Sequence, residues 1–111
     1  FLNYINTDNK KDYIYEVVGT KTDIFSAAAE RLGASRDLKF SGEGVSYKLL
    51  MLPILPIWLR YISNQNKTFT TYLYFRDVDT LYWGKDNIES ICYYLNNRMR
   101  SLTTNITNSF K

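Results

Sequence analysis

Residues 68–76, TFTTYLYFR, alternate without a break. Phe69, Thr71, Leu73 and Phe75 fall on one side, and Thr70, Tyr72, Tyr74 and Arg76 on the other. A period of two held over that length marks a strand with one face on a core. Val45 to Leu52 begins the same way, with Val45, Tyr47, Leu49 and Met51 sharing a side opposite Ser46 and Lys48. Near the C-terminus the period changes. Ile88, Ile91, Cys92, Leu95, Met99 and Leu102 recur at three- and four-residue spacings. That stripe predicts a helix over 87–103, opened by the capping-box-like Asp86-Asn-Ile-Glu89. A second, shorter stripe of Ile24, Phe25, Ala28, Ala29 and Leu32 predicts a helix over 22–32 that stops at Gly33.

The remaining segments give weaker patterns. DYIYEVVG at 12–19 reads as a strand ended by Gly19, and DLKFS at 37–41 as a strand turning through Gly42-Glu43-Gly44 into Val45–Leu52. Leu49 to Leu59 contains no polar residue. Pro53 and Pro56 break any regular helix there, so the expectation is an extended apolar bend and then a strand over 57–63. Asn64–Lys67 is a polar turn. Asp77-Val-Asp79 is another, with a last short strand at Thr80–Trp83. Residues 1–11 read as a loose lead-in in which Leu2, Tyr4 and Ile5 can form a short strand, and 104–111 as a loose tail. The sum is one α+β domain spanning 1–111. It has a mostly antiparallel sheet of about five strands, an early short helix, and a long C-terminal helix packed on one sheet face.

Composition agrees with a folded domain. The chain has 111 residues, 45% hydrophobic and 23% charged, with only two prolines, enough to bury a core unaided. Ten tyrosines suit half-buried strand faces and interfaces. There is no histidine, which removes the usual neutral-pH general base and the commonest metal ligand. The single cysteine, Cys92, forms neither an internal disulfide nor a cysteine-cluster zinc site. It sits on the helical stripe as a small apolar residue. The net charge of +3 lies wholly in residues 49–111, with seven basic against four acidic residues; residues 1–48 hold seven of each. An excess that small does not itself mark a nucleic-acid binder.

Several features invite a chemical reading. The Asp77/Asp79 pair near Asp86 and Glu89 has the residue type of a divalent-cation site or a carboxylate enzyme. It lacks the glycine and distal glutamate of a calcium loop, and a turn followed by a helix cap accounts for all four residues. Gly42-Glu-Gly44 and Gly19-Thr-Lys-Thr22 fall short of phosphate loops, and Asn66-Lys-Thr68 and Asn105-Ile-Thr107 match the glycosylation pattern in an Asn-rich chain. No cofactor, metal or catalytic set is expected, and the chain is read as non-enzymatic.

The eleven-residue apolar run 49–59 is too short to span a membrane. It fits two roles: a pair of buried strands, or a hydrophobic lip for a partner groove or membrane interface. The second role gives the leading functional expectation, an interaction module binding a protein or membrane partner through Leu52, Ile54, Leu55, Ile57, Trp58 and Arg60. Because the sequence opens on Phe1, the expected setting is the soluble part of an exported or membrane-anchored envelope protein. The alternative is a single-stranded nucleic-acid module using the Tyr72/Tyr74/Arg76 face, extended by Tyr47, Tyr61 and Tyr82. In outline the plan resembles pleckstrin-homology-like domains and small envelope lipoprotein domains. The resemblance is architectural, without a shared motif, and implies no function.

Overall fold

A computed structural model describes residues 2–5, 13–52 and 54–109. The elements in chain order are β1 (Leu2–Ile5), α1 (Tyr13–Val18), α2 (Thr22–Arg31), β2 (Ser35–Arg36), β3 (Gly44–Leu52), β4 (Leu55–Ser63), β5 (Phe69–Arg76), α3 (Asp77–Trp83) and α4 (Lys85–Ser109). The strands form one sheet in the order β1-β5-β4-β3-β2, every neighbouring pair antiparallel. Four of the strands have four residues or more, and β2 adds a two-residue pairing at the far edge. The fold is α+β, with an early short helix and a long C-terminal helix.

The alternation read from the sequence sorts the sheet into two faces. Val45, Tyr47, Leu49, Leu55, Ile57, Leu59, Tyr61, Leu73 and Phe75 are buried together with Ile14, Phe25, Ala28, Ala29, Ile88, Cys92, Leu95 and Met99 in one core. α4 packs alongside α1 and α2, and Ala28 and Ala29 are the small residues that let α2 come close. Its apolar stripe continues one turn pair beyond the expected end, because Ile106 repeats Met99 at i+7 and is buried. Thr103 stays in the helix by donating its hydroxyl to the Met99 carbonyl at 2.7 Å. Tyr61 ties the layers together. Its ring lies between Phe25 and Phe69, each 4.9 Å away and nearly parallel, and its hydroxyl donates to the Gly19 carbonyl at 2.7 Å. Gly19, at φ +59°, carries the chain from α1 to α2.

Three local expectations change. Residues 13–18 are helical, not extended. Almost every position there is apolar, so alternation and helical spacing fit equally well. Ile14 and Val18 are buried while Glu16, which a strand would place on the same side, is exposed, and that decides for the helix. Residues 37–41 form a turn, and the strand that pairs with β3 is the preceding Ser35–Arg36. Leu38, an apolar residue of this turn, is 89% exposed. Residues 77–83, expected as a turn and a last short strand, are helical as α3, where Thr80 donates to the Asp77 carbonyl at 2.6 Å.

The apolar run forms the β3–β4 hairpin, with the second strand beginning at Leu55, two residues earlier than expected. Leu52 faces Leu55 across residues 53 and 54, after a register shift between Leu50 and Leu52. Pro56 has a specific effect. The Ser46 carbonyl accepts the Asp37 N–H, so even-numbered residues of β3 turn their backbone groups towards β2. The odd residues of β3 therefore bond to β4, and even residues of β4 turn towards β5. Pro56 is the even residue after Trp58 and has no N–H to give. The β4–β5 ladder accordingly ends at Trp58↔Tyr74.

Candidate binding face

The sheet face opposite the helices is built from the even positions of the strands. Tyr4, Tyr74, Trp58 and Lys48 stand in one cross-strand row. Tyr72, Arg60 and Ser46 form the next. The three tyrosines cluster, Tyr4 lying edge-on to Tyr72 with centroids 5.2 Å apart and tilted against Tyr74 at 5.6 Å. Pairs of this kind contribute about 0.5–1.5 kcal/mol beyond area burial. Lys48 Nζ sits 5.5 Å from the Trp58 ring centroid.

The two arginines of this face are held by acids. Arg60 lies between aromatic rings, 4.6 Å from the Tyr74 centroid and 5.1 Å from that of Phe40. Its Nε donates to Ser46 Oγ at 3.0 Å and its Nη2 to Asp37 Oδ2 at 3.3 Å, and Ser46 Oγ donates to the same carboxylate oxygen at 3.1 Å. Burial alone raises the Asp37 pKa. The Lys39 amide, the Ser46 hydroxyl and the Arg60 guanidinium outweigh it and hold the carboxyl below its ordinary value. This network fastens the 37–40 turn over one end of the face. Burial shifts the Tyr74 phenol the other way, upward, against the pull of Arg60. Arg76 makes a two-pronged contact with Asp79, 2.9 Å on each oxygen, and donates to the Ile54 carbonyl at 3.1 Å.

The six residues expected to meet a partner separate by face. Leu55 and Ile57 are 0% exposed and belong to the core, because odd positions of β4 point at the helices. They are not available to a partner in this fold. Leu52 and Trp58 are half-buried, the Arg60 side chain is mostly buried, and Ile54 is 56% exposed at the hairpin tip. Leu50, at 59%, is an exposed apolar residue of the run that the expected set omitted. Even spacing from Trp58 across the hairpin is the signal that identifies it. On the tyrosine face, Tyr72, Tyr74 and Arg76 come together as expected. Tyr47 and Tyr61 are core residues and Tyr82 lies on α3, so none of the three extends the face. Tyr4 takes that place, brought in by β1 pairing with β5.

The carboxylates do not converge. Asp79 is committed to Arg76, Glu89 lies 3.9 Å from Lys85, and among the described residues no group of three or more Cys, Asp or Glu side chains is placed to hold a metal. Cys92 is buried, and desolvation, with Glu89 nearby, pushes its thiol up to about 12. Among the described residues no helix is long and apolar enough to cross a membrane. No protein-family model, curated protein or solved structure matches the chain.

Proposed function

We propose that the chain is a non-enzymatic interaction module that binds a protein partner through the open face of its sheet. The observation that carries this reading is the row Tyr4–Tyr74–Trp58, flanked by the exposed Leu50 and Ile54. Aromatic residues with aliphatic neighbours supply large contact area at low conformational cost, and such residues dominate protein interfaces.

Electrostatics separates this from the nucleic-acid alternative. A strand of phosphates needs free cations beside the stacking rings. The cations nearest the tyrosines are Arg60 and Arg76, and both are paired with aspartates. The Tyr72/Tyr74/Arg76 face is thus aromatic with little net charge, which suits a protein surface better than a phosphate backbone.

A photo-crosslinking residue in place of Tyr4 or Tyr72 tests the reading in cells that make the chain. The expected result is a discrete adduct that resists nuclease, is destroyed by protease, and is absent when the crosslinker replaces Thr104, an exposed residue of α4. An adduct removed by nuclease would favour the nucleic-acid alternative. Adducts formed equally from Thr104, or lipid adducts alone, would overturn protein binding by this face.

A further inference from the structure

The edge of the sheet beside the binding face is unfinished. β2 covers β3 only at Tyr47 and Lys48. Gly33, at φ +95°, turns the incoming chain away towards the helices, so β3 runs on through Leu49–Leu52 with no described strand on its outer side. By the alternation established at Ser46, the N–H and C=O of Leu50 point outward along this edge. No backbone hydrogen bond from a described residue meets them. Proteins commonly blunt such edges with charge, proline or a covering loop. Here the edge carries Leu50, Met51 and Leu52.

A hollow of about 530 Å3 opens next to it. Trp58 and Leu50 give it an apolar floor, and the exposed Leu38, Lys39 and Lys48 stand around it. Its one carboxylate, Asp37, is taken up by Arg60 and Ser46. Lys48 rests on the Trp58 ring, 5.5 Å from the centroid, and no described acid pairs with it; Arg36 lies over Tyr47 on the helix side of the sheet and adds no charge here. The hollow therefore joins apolar surface to uncompensated positive charge.

We infer that β3 accepts an extended segment of the partner as an added antiparallel strand, with an acidic side chain of that segment set in the hollow. The inference rests on the protein-binding reading above and specifies its mode. A residue paired opposite Leu50 directs its side chain to the same face as Leu50, within diagonal reach of Lys48. Backbone bonds to Leu50 supply the pairing, and the cations select a carboxylate at that position. A single-stranded nucleic acid satisfies the charge and leaves the edge amide unpaired. A second copy of β3 pairs the edge but sets a leucine, and no acid, opposite Leu50.

The test uses the whole chain, 15N-labelled, and two blocked heptapeptides, Ser-Thr-Phe-Val-Val-Glu-Ser and the same peptide with Gln for Glu, so that few residues follow the Glu towards β2. The Glu peptide should move the Leu50 amide resonance downfield and slow its hydrogen exchange. It should bind about fivefold more tightly than the Gln peptide at low salt, as one partly exposed ion pair allows. The preference should fall below about twofold at molar salt, where screening shortens to about 3 Å. Lys48→Gln should erase it with the fold intact. Leu50→Pro removes the outward N–H at an edge position that tolerates proline, and should abolish binding of both peptides. Should that variant misfold, the Leu50 amide of the unaltered chain still reads the contact. Equal binding of the two peptides, a silent Leu50 amide, or no binding near about 5 mM would overturn the inference. Crosslinking from Tyr4 and Tyr72 lies across the sheet from this edge and decides the broader reading separately.

Discussion

Two adjacent residues at the β3–β4 hairpin should respond oppositely to the same change. Leu55 is wholly buried at the start of β4, while Ile54, one residue earlier, is more than half exposed at the tip. Truncating Leu55 to Ala removes three buried carbons and leaves a cavity among core side chains, a change that costs about 2–5 kcal/mol. A domain of this kind has about 5–15 kcal/mol in total. Ile54→Ala removes atoms that water already reaches and leaves the backbone carbonyl that accepts Arg76, so its cost should stay within about 0.5 kcal/mol. Urea unfolding followed by tryptophan fluorescence separates the two. With a slope of about 1–3 kcal/mol per molar, Leu55→Ala should lower the midpoint by about 1–2 M, and Ile54→Ala by no more than about 0.5 M, with the slope unchanged in both. Equal midpoints for the two variants would refute the assignment of 49–59 to alternating core and surface positions. The same pair carried to Asp extends the test. Leu55→Asp should unfold the domain by burying a carboxylate, and Ile54→Asp should leave a folded protein whose partner adduct is weakened.

Other consequences follow from single groups. Asp37 is more acidic in the folded chain than in the unfolded one, so its contribution is whole above the ordinary value of 3.8 and is lost as pH falls through the folded value. Asp37→Asn should be less stable than the parent at pH 7, and the gap should close below about pH 3.8 in a pH series of urea midpoints. Cys92, with its thiol raised to about 12, should resist a thiol-specific disulfide reagent in the native state and react as fast as the chain unfolds. A reaction complete within seconds in buffer would contradict its burial. Gly44 sits at φ +128°, and a Cβ there would run into the Tyr61 carbonyl oxygen. Gly44→Ala should lower stability by about 3 kcal/mol or more, whereas Gly19→Ala, at φ +59° in open space, should cost about 1 kcal/mol; thermal melts compare them directly.

The elements that were legible in the sequence are those with long, unambiguous periods. β5 and α4 each repeat one spacing often enough to exclude the other, so their faces were readable residue by residue. At 13–18 the tyrosines, isoleucine and valines saturate the pattern. The deciding fact is tertiary, since Ile14 and Val18 pack against β5 and α4. Residues 80–83 fail for a similar reason. Leu81 and Tyr82 are exposed on α3, so their apolar character signals no buried face. The candidate face was half legible. Tyr72 and Tyr74 announce themselves by alternation, while Tyr4 joins them only because β1 adds beside β5 at the opposite end of the chain. The quenching of Arg60 was not legible either, because Asp37 lies 23 positions away and reaches it only when the 37–40 turn folds over the sheet.

That turn also explains why the two halves of the open face differ. At the β1–β5 end, Arg76 is neutralised by Asp79 from the following helix, and at the centre Arg60 is neutralised by Asp37. Asp37 leaves its neighbour Lys39, and Lys48 across the strand, without an acid of their own among the described residues. The aspartate that makes the aromatic centre nearly neutral thereby leaves positive charge at the β3 edge, where no described strand pairs with the outer side of Leu50. Apolar contact is available across the tyrosine row, and charge selection only at its Lys48 end. A partner that uses both has to lie across the strands from Tyr4 to Lys48 and finish along β3. A folded surface with an extended acidic segment at its margin meets that requirement.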